Sequence, residues 1–167
     1  MHILIDVQGY QSESKFRGIG RSTLAMSRAI IENAGEHRVS ILINGMYPID
    51  NINDVKMAYR DLLTDEDMFI FSAVAPTAYC NIENHGRSKA AQAARDIAIA
   101  NIAPDIVYVI SFFEGHGDSF TVSIPADNVP WKTVCVCHDL IPLLNKERYL
   151  GDPNFREFYM NKLAEFE

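Results

Sequence analysis

The sequence predicts an α/β domain: a Rossmann-like, doubly wound, mainly parallel sheet with helices on both faces. Three observations predict it. Short apolar runs alternate along the chain with stretches of helical period. Two later runs, DIVYVIS (105–111) and WKTVCVCHD (131–139), are apolar almost without a break, as strands buried on both faces are. Polar, glycine-bearing segments follow the strands, at the edge where an open α/β sheet binds its ligands.

The elements follow in order. HILIDV (2–7) reads as the first strand, with Asp6 breaking its apolar character. Residues 20–34 carry one helical face through Ile19, Thr23, Met26, Ile30 and Ala34, and Gly35 suits the helix end. RVSILIN (38–44) is a second strand, DVKMAYRDLL (54–63) a weaker helix, and MFIFSAV (68–74) a third strand. Ala90, Ala94, Ala98 and Ile102 recur at steps of four in a small-residue helix over 86–102, which Pro104 closes. After the strands at 105–111 and 131–139, residues 152–167 set Phe155, Tyr159, Leu163 and Phe166 on one helical face. No repeat, low-complexity tract or interdomain linker interrupts the series. The pattern stops inside an amphipathic stretch, so the expectation is a domain cut from a longer protein.

Composition narrows the function classes. A chain of 167 residues, 48% hydrophobic and 22% charged, has the size and balance of one globular domain. No apolar stretch is long enough to span a bilayer, and the N-terminus lacks a signal-peptide layout. A net charge of −7 argues against a nucleic-acid surface. Cys80, Cys135 and Cys137 fit neither a disulfide framework nor a zinc site, and buried free thiols in a reducing cytoplasm are expected.

Three segments carry candidate chemistry. KFRGIGRS (15–22) brings Lys15, Arg17 and Arg21 together with Gly18 and Gly20 at a helix start. Glycines let backbone N–H groups approach an anion, and the helix dipole adds to the cations, so an anion site is favoured over a turn with solvated arginines. The spacing is neither a dinucleotide fingerprint nor a Walker loop, so no nicotinamide cofactor is implied. FFEGHGDSF (112–120) mixes aromatics with Glu114, His116 and Asp118. Composition alone leaves it open between a binding loop and an exposed turn. HDLIPLL (138–144) sets His138 and Asp139 at the mouth of a strand. His138 there touches substrate or bonds to backbone, while Asp139 orients the loop.

The order ILIDVQGY … GIGRSTL … HDLIPLL … YLGDPNFREFY resembles the N-terminal half of glycosyltransferase family four, over about residues 1–160. It is most similar to bacterial mannosyltransferase-like enzymes that build O-antigen and other surface polysaccharides, and SFFEG is similar to a loop they carry. The resemblance implies a GT-B architecture in which residues 1–167 form the acceptor domain and the C-terminal nucleotide-sugar domain is missing. It implies a retaining transfer of a hexose, mannose above all, from a donor such as GDP-mannose. No cofactor and no metal are implied. Gly18, Gly20 and Arg21 match the loop near the donor diphosphate, and His138 and Asp139 the catalytic cleft positions. Phe113, Glu114 and Gln8 fall to the acceptor side. Glu157 and Glu165 reproduce the family's Glu-x7-Glu spacing but lie outside its usual domain.

The implied partners are the missing donor domain and a saccharide or lipid-linked saccharide acceptor, with no nucleic acid. The implied location is the cytoplasm at the inner membrane face, reached by peripheral association of the full-length enzyme. A homodimer is left open. The alternative is a non-catalytic, flavodoxin-like binding or regulatory module.

Overall fold

The computed structural model describes residues 1–125, 128–138 and 140–166. Asp139 therefore lies outside the described residues. Among these residues five strands form one sheet: β1 (His2–Asp6), β2 (Arg38–Asn44), β3 (Met68–Phe71), β4 (Ile106–Val109) and β5 (Lys132–Cys135). All neighbours are parallel, in the order β3-β2-β1-β4-β5. The chain winds outward from β1 to β3, then returns to β1's other side for β4. A flavodoxin-like sheet would set β1 between β2 and β3, whereas here it lies between β2 and β4, so that part of the alternative expectation is corrected.

Among the described residues six helices accompany the sheet: α1 (Gly18–Glu32), α2 (Ile49–Tyr59), α3 (His85–Ile102), the single turns α4 (Ile141–Leu144) and α5 (Lys146–Tyr149), and α6 (Pro153–Ala164). Side chains alternate across a strand, and this alternation divides the core in two. Ile5, Val7, Ile41 and Ile43 pack with Ile52, Val55 and Tyr59 of α2 and with Leu24 and Ile30 of α1. Leu4, Leu42, Val107 and Val109 pack on the other face with Ile99 of α3, Phe112, Phe120 and Trp131. That is the double winding the sequence predicts.

Several expectations shift. α2 starts at Ile49, five residues before the expected 54, because Pro48 presets the entry and Asp50 complements the first-turn N–H groups. β5 ends at Cys135, not 139, and it is an edge strand with Val134 44% exposed, not a strand buried on both faces. The thiols follow from that. Cys80 and Cys137 are exposed and only Cys135 is partly buried, which corrects the buried-thiol expectation. Burial pushes the Cys135 thiol up to about 11.

The buried stripes of two helices also differ from the expected ones, although Tyr159 is buried as expected. α3 buries Ala91, Arg95 and Ile99 rather than the Ala90 row, because Arg95 has a buried partner on β1. α6 buries Phe158, Tyr159 and Lys162, leaving Phe166 partly exposed. Among the described residues, no helix is long and apolar enough to cross a membrane.

Candidate functional site at the switch point of the sheet

Asp6 ends β1 with both carboxylate oxygens buried. Arg95 reaches it from α3, 89 residues away, through Nε at 3.0 Å and Nη2 at 2.8 Å. Neither charge could be buried alone at tolerable cost, so each requires the other. Gln8 completes the arrangement. Its Nε2 donates to both oxygens of Asp6 and to the Thr121 carbonyl at 2.7 Å, while its Oε1 accepts from Asn44 Nδ2 and the Thr121 N–H. Gln8 is fully buried. Every polar atom of its amide is spent inside the protein, so it braces the 118–123 segment and offers nothing to an acceptor.

Above this network lies a crevice of about 390 Å³. It opens where the winding reverses between β1 and β4, the place an open α/β sheet reserves for ligands. Glu13, Ser14, Arg17 and Ile19 line it from the segment entering α1. Phe113, Glu114, His116 and Asp118 line it from the loop after β4, His138 from the end of β5, and Phe155 and Tyr159 from α6. Arg17, Phe113, Glu114 and His138, separated by long stretches of sequence, are thus brought to one cavity.

α1 presents its N-terminus here. Arg17 is the N-cap residue without a side-chain cap, and the first helical bond runs from the Arg21 N–H to the Arg17 carbonyl at 3.1 Å. The N–H groups of Gly18, Ile19 and Gly20 stand outside the helical ladder, at the positive end of the dipole. The two glycines do different things. A side chain at Gly18 would meet open space, whereas a Cβ at Gly20 would strike the backbone of Lys15. Gly20 thus lets the 3-10 turn of Glu13–Phe16 pack on α1. Of the three cations, Lys15 is ion-paired with Asp54. Arg17 faces the crevice, and Arg21 is exposed one turn further on.

The crevice is mostly acidic. Glu13, Glu114 and Asp118 outnumber Arg17. Burial holds the Asp118 carboxyl above the usual carboxylate range, although it accepts from the Phe120 N–H at 3.1 Å and the Tyr47 hydroxyl at 3.2 Å. Burial and the nearby Asp118 charge in turn push the Tyr47 phenol up. His116 bonds through Nε2 to Asn154 Oδ1 at 2.8 Å and meets Phe155 edge-on, which ties the loop to α6. Carboxylates beside aromatic rings suit a neutral, hydroxyl-rich ligand, with room for an anion only at the α1 end.

Among the described residues, no group of three His, Cys, Asp or Glu side chains is placed to hold a metal ion. The wall formed by Phe155 and Tyr159 was not assigned from sequence, whereas Arg17 was read there as one of the anion-site cations. Asp6 and Arg95 did leave a signal: a charge inside an apolar strand and another in an alanine-rich helix.

Comparison with known proteins adds one kind of relative. The chain is 96% identical, over all 167 residues, to an Escherichia coli protein called serotype-specific mannosyltransferase WbdA. Two further Escherichia coli proteins of that name are 96% and 97% identical over 142 residues, 85% of the chain. The chain spans 20% of the length of the first and 17% of the other two. No family model and no solved structure matches it.

Proposed function

We propose that this chain is the acceptor-side domain of a retaining mannosyltransferase that moves mannose from a sugar nucleotide to a saccharide acceptor. The observation that carries the reading is the near-identity to a mannosyltransferase five times its length, held over a Rossmann-like domain with its crevice at the switch point. The remaining four-fifths of that relative leave ample length for a donor-binding domain of GT-B type. Synthesis of O-antigen or another surface polysaccharide is the expected setting. GDP-mannose is the expected donor, and the cytoplasmic side of the membrane the expected place of work.

Each residue then has a task. The donor diphosphate lies against the first turn of α1, held by the N–H groups at Gly18, Ile19 and Gly20 and by the Arg17 and Arg21 guanidinium groups four residues apart. The acidic side receives the acceptor, whose hydroxyls donate to Glu114 and Asp118 while Phe113 and Tyr159 cover the ring faces. His138 stands at the β5 rim, where charge develops as the sugar leaves the diphosphate. Its work is positioning and electrostatic stabilisation. Asp139 keeps its sequence-derived assignment beside it. Gln8 leaves the acceptor set and becomes a positioning residue.

The test uses the full-length protein with His138→Ala, Arg17→Ala and Arg21→Ala, a panel of sugar nucleotides and saccharide acceptors. Expected is transfer of mannose by the unaltered protein and a turnover loss on the order of a hundredfold in His138→Ala with the fold intact. The arginine variants should weaken donor binding. Absence of transfer from every donor, or three variants that behave like the unaltered protein, overturns the assignment.

A further inference from the structure

A second cavity, of about 340 Å³, lies between α3 and α6, behind the loop that follows β4. Two helix faces oppose each other across it. His85, Ser88, Lys89 and Gln92 come from the first two turns of α3, at the spacing that puts them on one side. Glu157 and Asn161 come from α6 and Glu165 from its C-cap, at steps of four. Its apolar wall is aromatic. Tyr79 stacks on His85 with ring centroids 4.1 Å apart and tilts against Phe158 at 5.3 Å.

The charge pattern decides what fits. Three carboxylates, Glu114, Glu157 and Glu165, face Lys89, Lys162 and His85. The Lys162 ammonium is already committed, donating to the Val122 carbonyl at 2.6 Å and lying 4.5 Å over the Phe112 ring, with Glu165 at 3.6 Å. With the Lys162–Glu165 pair set aside, an anion would face Glu114 and Glu157 with Lys89 as the remaining ammonium. A neutral ring bearing hydroxyls meets Ser88 and Gln92 as hydrogen-bond partners, beside Asn161 and Glu157, which already share the Tyr79 hydroxyl, and an aromatic wall for its C–H face.

This cavity is continuous in lining with the crevice, because Glu114 and Gly115 border both. The shared wall includes a glycine in a conformation that favours glycine. Gly115 has φ +104° and a Cβ there would lie 2.6 Å from the Phe120 carbonyl oxygen. Two bonds fix it, from the Tyr79 N–H to the Gly115 carbonyl at 3.0 Å and from the Cys80 N–H to the His116 carbonyl at 2.8 Å.

We propose that the α3–α6 cavity is a second saccharide subsite, holding a sugar unit of the acceptor that lies behind the reacting one across the shared wall at Gly115. This rests on the saccharide-transfer reading and deepens it: acceptor length becomes a property that the cavity measures.

The experiment uses the full-length protein with Gln92→Leu, which removes the amide, and Ser88→Trp, which fills the space. Mannose, a disaccharide and a trisaccharide of mannose serve as acceptors, and calorimetric binding of the same three sugars is measured alongside transfer. Expected is a KM for the longer acceptors raised about threefold to tenfold, the equivalent of one lost hydrogen bond or so, with kcat and the monosaccharide KM unchanged. If transfer proceeds and all acceptor lengths respond alike in the variants, the subsite is overturned while the transferase reading survives. If nothing is transferred but the longer sugars bind and the variants lose that advantage, the subsite stands and the transferase reading falls. If neither transfer nor sugar binding occurs, both fall.

Discussion

The buried network beneath the sheet's carboxyl edge and the crevice above it are built from the same residue types, and they differ in who satisfies them. In the network, the polar atoms of Asp6, Gln8 and Asn44 find protein partners, and the Arg95 guanidinium is turned wholly inward. In the crevice, Arg17 and His138 stay exposed, and the carboxylates sit among aromatic rings. The lesson is that polarity at a sheet edge does not by itself mark a binding residue. Partnering does. Gln8 and Glu114 both read as acceptor contacts from sequence, yet one is a brace and the other borders two cavities.

The comparison breaks most severely at Arg95. Arg95→Ala leaves Asp6 charged and buried, and should cost about 3–5 kcal/mol in a denaturant melt, whereas replacing both partners by apolar residues of similar volume should cost far less. Equal losses from the single and double changes would show that the pair is not the linchpin of the network. Next comes Gln8→Ala, expected to cost about 1–3 kcal/mol through unsatisfied groups on Asn44 and Thr121. Saccharide binding by the folded full-length protein should stay close to that of the unaltered one. A selective loss of binding would return Gln8 to the acceptor set.

The glycine pair sharpens the contrast at the crevice rim. Gly20→Ala must displace the Lys15 backbone and should cost about 1–3 kcal/mol, while Gly18→Ala points into open space and should be neutral or slightly stabilising. Thermal melts of the two variants separate packing from ligand approach. Thiol labelling should then find Cys80 and Cys137 fast and Cys135 slow, since burial keeps the last protonated.

The smallest effect belongs to an exposed pair. The Arg28 guanidinium, 2.6 Å from Asp61, holds that carboxyl down at about 2. A folded pKa below the unfolded one gives stability that is present above the unfolded value and lost as pH falls through about 2. Asp61→Asn should remove that part of the acid profile and leave the neutral-pH melt almost unchanged.

Much of the fold was legible because it is local. β1, β2, α1 and α3 announce themselves through period and end signals, and the crevice follows from the rule that ligands sit at strand carboxyl ends. What stayed hidden depends on residues far apart. Arg95 stands out in its alanine-rich helix, but nothing near it names its partner, which lies 89 residues earlier. The short β5 was overcalled because apolar continuity does not distinguish a central strand from an edge one. Gln8 misled for a related reason: following a strand does not reveal whether a later loop will close over the side chain.

The placing of β1 at the middle of the sheet also sets a timetable. It is made before the other four strands of the sheet, yet one of its edges pairs with Ile106–Val109 and its terminal charge waits for Arg95. At about 5–20 residues per second, synthesis leaves that edge without its native neighbour for roughly 5–20 s. Throughout that interval the nascent chain carries an apolar strand and an uncompensated carboxylate. Completion of the central layer is therefore a late event, governed by long-range closure and not by how readily the first strand forms.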